Sequence, residues 1–420
     1  MKHIRNINLL FLCASALLAT GCSNEDTPNP SIDPSTDPDA IELGITAGVA
    51  LTKSAVSKPA DLTAGIAVYA CLNGSAAAGT EDPYTAAKKN NYAVYGTSNG
   101  GTTWTAGADD KIRLTSQEAK IYAYYPAITP ATGGAFQATG TALKVTEAIS
   151  DDATVGISVF PGGTSEDTYN KIAIPSENNA DSYYSSGWQT SEDANKKIIY
   201  SAPGEVDYMY ADNSTQLTAS NGKASGGTAD DYKVTLNMKH ALSMVSFRIY
   251  NDGTYQNTGK LTKIVLQNLE SNTVLSKGTN PKMNIKTGAI TPGTADDSHK
   301  ATYTRFIDGG YTLIKNTGTD AATTTTTNEK ASAAAKKFSI LVLPDGDTKF
   351  DKNKVQVVFT IDGADYPVTL QDPTESGDNG KWKAGKNYLY TAKLSGKELS
   401  ISSVTVSEWT AATGGDLDVN

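Results

Sequence analysis

From residue 41 onward the chain alternates apolar and polar positions in short runs separated by Gly, Asn and Asp clusters. A period of two over four to eight residues marks a strand with one face buried. The pattern predicts a first set of strands at 41–47, 64–72, 112–114, 120–125, 171–174 and 208–211. A second set is predicted at 232–238, 242–250, 260–268, 311–314, 338–343, 354–361, 364–370, 387–394 and 399–409. Pro126 closes the run that begins at Lys120, since proline cannot donate to a ladder. Asp362-Gly363 joins two of the later runs, and this pair suits the positive φ values of a two-residue hairpin turn. In the last run Leu399 and Ile401 share one parity and Val404 and Val406 the other, so a bulge is expected at Ser402-Ser403.

No long amphipathic helical pattern appears, and Thr, Ser, Gly, Ala and Tyr are abundant, so the expected fold class is all-β. Residues 320–335, with five consecutive threonines, read as a polar loop, with a short helix at 329–337 as the alternative. The glycine-rich stretch 222–231 is expected to separate two domains, 41–231 and 232–420.

The amino terminus has a different character. Lys2 and Arg5 precede an apolar run at 7–18, which is the length of a signal-peptide core and too short to span a bilayer. It ends in Leu18-Ala19-Thr20-Gly21-Cys22, which resembles the lipobox of bacterial lipoproteins, with Ala19 where leucine is more usual. The resemblance implies cleavage after residue 21, lipidation of Cys22 and anchoring in a membrane outside the cytoplasm, the acidic Ser23-Asn24-Glu25-Asp26 pointing to the outer surface. An ordinary secretory cut near Ala16 or Gly21, leaving Cys22 as a thiol, is the alternative. Residues 22–40, rich in proline and acidic residues, form an expected disordered tether. Without residues 1–21, 34 basic residues stand against 45 acidic ones, a formal charge of −11 that disfavours nucleic acid as a partner. Cys71 is then the single ordinary thiol, so no intramolecular disulfide is possible.

Several phrases in order resemble the fimbrillin family, the pilins of type V pili. They are Val49 to Ser54 (VALTKS), Ala67-Val68-Tyr69-Ala70, Trp104, the segment 120–126 (KIYAYYP), Asp207-Tyr208-Met209-Tyr210-Ala211, the segment 234–243 (VTLNMKHALS), the segment 382–390 (WKAGKNYLY) and the segment 404–409 (VTVSEW). The resemblance implies two transthyretin-like β-sandwich domains in tandem and assembly by strand exchange between pilin subunits. It also implies that residues 41–53 form a removable strand, with Leu43, Ile45, Ala47, Val49 and Leu51 as its alternating core, cut after Lys53 by a trypsin-like surface protease. The donor that replaces it would be 399–406, through Leu399, Ile401, Val404 and Val406. Lysine stands at position 53 where the family carries arginine, so either the protease accepts lysine or the strand is retained. The chain would then be an outer-membrane lipoprotein at the cell surface before processing and part of a pilus after it.

Groups that carry catalysis are sparse. His240 lies among Met238, Ala241 and Leu242, where a hydrogen-bonded structural histidine is the expected role, and His299 sits in a polar loop. Neither has a nucleophile motif beside it. Cys71 reads as a small buried residue. The acidic pairs Asp109-Asp110, Asp151-Asp152, Asp230-Asp231 and Asp296-Asp297 lack the spacing of an EF-hand and read as solvated turns. No catalytic residue, metal or cofactor is assigned. Tyr183, Tyr184 and Trp188 leave a second reading open, a non-polymerising surface lipoprotein that binds glycan or protein.

Overall fold

The computed structural model describes residues 34, 36–49, 62–74, 81–85, 91–107, 111–130, 136–138, 149–152, 155–159, 171–173, 198–199, 206–269, 281–291, 302–316, 335–344, 355–370, 381–396 and 398–408. Among them the fold is all-β, with one 3-10 turn at Asn99–Gly101 and no α-helix. The strands build one wrapped sheet and one two-sheet sandwich.

The wrapped sheet contains β1 (Gly44–Val49), β2 (Ile66–Leu72), β3 (Tyr92–Ser98), β4 (Thr103–Ala106), β5 (Ala119–Tyr125), β6 (Met209–Ala211) and β7 (Lys233–His240). Their spatial order is β1-β7-β6-β5-β2-β3-β4, with the short strand Thr218–Ala219 also paired to β5. The two end strands, β1 and β4, approach each other, so the sheet curls round one interior. That interior takes Ile66, Val68 and Ala70 from β2, Ile121, Ala123 and Tyr125 from β5, and Val234, Leu236 and Met238 from β7.

The sandwich contains β8 (Ser243–Asn251), β9 (Lys260–Asn268), β10 (Thr302–Thr312), β11 (Lys337–Val342), β12 (Val355–Ile361), β13 (Ala364–Thr369), β14 (Lys386–Ser395) and β15 (Glu398–Glu408). One sheet runs β10-β9-β12-β13 and the other β11-β8-β14-β15. Phe247 of β8 meets Phe359 of β12 across the gap, ring edge to face at 5.6 Å, a favoured aromatic geometry. Asp362 (φ 50) and Gly363 (φ 81) form the turn between β12 and β13, as expected from that dipeptide.

A third apolar cluster joins the two halves. The opposite faces of β2 and β5, with Tyr69, Cys71, Tyr122 and Tyr124, pack with Met244, Leu341 and Leu343 of the sandwich and with Met283 and Ile285. Strands β2 and β5 are therefore buried on both faces, where alternation alone predicts one.

Several sequence expectations differ in placement. The glycine-rich stretch 222–231 links Thr218–Ala219 to β7 within the same sheet, and the strand expected to open the second set belongs to the first. Conversely, Lys171–Ala173, expected in the first set, pairs with β10, and Ile198–Ile199 pairs with β11. Alternation reports which face is buried but not which sheet supplies the neighbours. Lys337 opens a strand, so the alternative helix does not reach it.

Candidate assembly site

Strand β1 lies at the end of the sheet order and pairs with β7 alone within that sheet. The pairing is parallel, from Gly44 opposite Lys233 to Val49 opposite Met238. A side-chain bond links Thr46 Oγ1 and Thr235 Oγ1 at 3.0 Å on the outer face. Just before β1, Ile41–Glu42 pairs with Arg113–Leu114, and Lys111 donates to the Glu42 carboxylate at 2.7 Å. The Tyr95 hydroxyl donates to the Leu43 carbonyl at 2.9 Å. Burial pushes the Tyr95 phenol well above its ordinary range, with the Glu42 carboxylate adding to the rise, so it remains a neutral donor.

The edge position contrasts with what the strand buries. Leu43, Ile45 and Val49 are core residues of the wrapped sheet and Ala47 packs against it. The odd-numbered positions thus face inward, as the alternation predicts. Burial of an aliphatic side chain of this kind contributes roughly 1.5–3 kcal/mol. Loss of the strand would uncover the Val234, Leu236 and Met238 side of the interior and leave one ladder of β7 without partners. Leu51, Lys53 and Cys22 lie outside the described residues.

At the other end of the chain, β15 is also a terminal strand, paired with β14 alone. Thr391 lies opposite Ser403 and Ala392 opposite Ile401, so Ser402 is the extra residue of a bulge. Ser402 Oγ donates to the Thr391 carbonyl at 3.1 Å. This bulge reverses the side-chain parity. Leu399 and Ile401 before it and Val404 after it pack partly buried against the same sandwich core. Val406 pairs through its backbone with Tyr388, and its side chain lies outside the described part.

The remaining candidate residues have structural roles. His240 and Asp207 form a buried pair at 2.7 Å. Trp382 Nε1 donates to the Tyr390 hydroxyl at 3.1 Å, and the Tyr388 hydroxyl donates to the Lys381 carbonyl at 2.9 Å. Burial, with the Glu81 charge adding to it, pushes the Cys71 thiol up, so it stays protonated and unreactive. Asp151 pairs with Lys286 at 2.8 Å and Asp230 with Lys233 at 2.6 Å, while Asp231 accepts from the Thr228 backbone N–H at 2.9 Å. No group of three metal-ligating side chains occurs among the described residues. His299, Asp109, Asp110, Asp296, Asp297, Tyr183, Tyr184 and Trp188 lie outside them.

One cluster had no signal in the sequence. Glu81, almost fully buried, accepts from Tyr122 at 2.8 Å, Lys120 at 3.0 Å and Lys286 at 3.2 Å. It ties β5 to Lys286, which lies 205 positions after Glu81 itself. No local pattern links residues so far apart.

Strands near both ends of the described part lie at sheet edges. A family model described as fimbrillin-like matches residues 55–409. The chain belongs to the fimbrillin-like family. Members are pilus-type structural subunits rather than enzymes. Solved structures similar to this fimbrillin-like chain include a putative cell adhesion protein from Bacteroides uniformis, 17% identical over 88% of this chain and 98% of that one, with a TM-score of 0.46. Another from Bacteroides ovatus is 14% identical over 89% and 99%, with a TM-score of 0.47. The tip fimbrial protein Mfa3 from Porphyromonas gingivalis is 10% identical over 86% and 99%, with a TM-score of 0.33. No curated protein matches the chain.

Proposed function

We propose that this fimbrillin-like chain is exported as a lipoprotein acylated at Cys22, delivered to the outer surface and polymerised there by strand exchange. A trypsin-like surface protease cuts after Lys53, and the segment 41–53 leaves with the lipid and the tether. The strand 399–406 of a second pilin subunit then fills the vacated groove, gaining ladder hydrogen bonds and burying Leu399, Ile401, Val404 and Val406 in place of Leu43, Ile45, Ala47, Val49 and Leu51. Donor and groove lie on different strands of each subunit, so the contact is heterologous and propagates as a fibre. In this reading the chain comprises two sandwich domains, the first running on to His240. It supports adhesion as part of the pilus.

The observation that carries the proposal is the combination found at β1: a strand paired with β7 alone within its sheet, yet contributing Ile45 and Val49 to the core beside Leu43, which just precedes it. Such a strand can be withdrawn without threading and leaves a groove of defined alternation. The test is limited trypsin digestion of the purified chain beside a Lys53→Ala variant. A cut after Lys53 followed by ladders of oligomers is expected, with Lys53→Ala remaining monomeric. Cutting that yields only monomers, or equal polymer in cells carrying Lys53→Ala, would overturn the cleavage-triggered model and favour a retained-strand subunit.

A further inference from the structure

Two sheet edges of the sandwich are taken by short parallel segments, Lys171–Ala173 on β10 and Ile198–Ile199 on β11. The other two are the longer terminal strands β13 and β15, each paired with one neighbour within its sheet. An open edge presents unpaired N–H and C=O groups to any other chain. Strand β15 runs through 11 residues without a proline, whereas β13 carries Pro367. We infer that Pro367 guards the edge of β13 against strand addition by a second copy of this chain.

The register places the proline. Asp362-Gly363 is a two-residue turn, so Ile361 and Ala364 form the first bonded pair of the hairpin. Bonded and non-bonded pairs alternate along an antiparallel ladder, which makes Phe359 with Tyr366 and Val357 with Val368 the next bonded pairs. The phase is fixed independently at the far end, where the Leu370 N–H donates to the Val355 carbonyl at 3.1 Å. Asp365, Pro367 and Thr369 fall between, opposite Thr360, Val358 and Gln356. Their backbone groups turn away from β12 toward the open edge, and all three residues are exposed.

Pro367 therefore leaves the ladder between β12 and β13 intact and removes a donor from the outer edge alone. A second β13 laid antiparallel along this edge and centred on residue 367 would set Asp365 against Thr369 and proline against proline. Both central N–H donors are missing there, so the new ladder is broken at its middle. Asp365, whose carboxylate accepts from Thr360 Oγ1 at 2.6 Å, adds a charge held at the same edge. The inner side of the strand is unaffected, since Tyr366 and Val368 pack against the sandwich core. The inference does not rest on strand exchange, because it concerns the uncleaved chain.

The test is Pro367→Thr, which returns the N–H without adding apolar surface. In sedimentation equilibrium of the purified chain, without protease, Pro367→Thr is expected to self-associate at least tenfold more tightly than the parent. Amide exchange across 364–370 should slow in the variant as its concentration rises. The double variant Pro367→Thr/Thr369→Pro removes a donor two positions along the same edge and should return to the parent's behaviour. The inference is overturned if Pro367→Thr associates no more tightly than the parent, if it associates without slower exchange across 364–370, or if the double variant associates as tightly as the single one.

Discussion

His240 Nδ1 and Asp207 Oδ1 lie 2.7 Å apart in a buried pair at the end of β7, where the chain leaves the wrapped sheet for the sandwich. The two residues come from two separate phrases that carry the family resemblance. Their pairing has a packing reason: each bonds the other where water is excluded. Removing one partner takes this bond from the other. His240→Ala is expected to cost about 1–3 kcal/mol, the range for losing one partner of a buried hydrogen bond. In a double-mutant cycle, adding Asp207→Ala should cost much less than it does alone, measured by urea unfolding.

Leu43 tests the first strand. The side chain is buried and Leu→Ala at such a site costs about 2–5 kcal/mol. Because the adjoining β1 pairs with β7 alone within its sheet, the loss should appear first as local release. Amide exchange across β1 is expected to quicken in Leu43→Ala while β9 and β12 stay protected.

Ser402 tests the last strand. Its deletion would remove the extra residue and place Leu399, Ile401, Val404 and Val406 in strict alternation on one face. The variant is expected to keep sandwich stability and, under the strand-exchange proposal, to serve as a donor when mixed with cleaved parent subunits. Inserting one alanine after Ser402 turns Val404 away from the face of Leu399 and Ile401 and should lose both, as judged by thermal melting and an oligomer ladder.

Glu81 sets an acid limit. Burial tends to raise its pKa, but the hydrogen bonds from Tyr122, Lys120 and Lys286 prevail and hold the carboxyl below its ordinary value of 4.5. A group depressed in the folded state gives stability that is present above the unfolded value and lost as pH falls through the folded one. Unfolding midpoints of the parent should therefore drop below about pH 4.5, and Glu81→Gln, less stable at pH 7, should show a shallower drop over the same interval.

The sequence was most informative where a feature is local. Asp362-Gly363 carries its own turn geometry, and the parity change from Ile401 to Val404 announces the bulge at Ser402. The alternation of Leu43, Ile45 and Val49 likewise identifies the inward face of β1. Strands β3 and β4 escaped notice because Gly96, Thr97 and Ser98 are small and polar, and Trp104 stands alone between threonines. The allegiance of β7, the parallel partner of β1 and the Glu81 cluster are non-local. They depend on which distant segments complete a sheet, which no period of two can encode.

The apolar cluster that joins the wrapped sheet to the sandwich has a mechanical consequence. Tyr69, Tyr122 and Tyr124 share an interior with Met244, Leu341 and Leu343, so no solvated joint separates the two halves there. Close-packed interiors resist compression and transmit strain. Each subunit is accordingly a stiff link, and a filament made of such links would bend at the seams between copies while its individual members keep their shape under load.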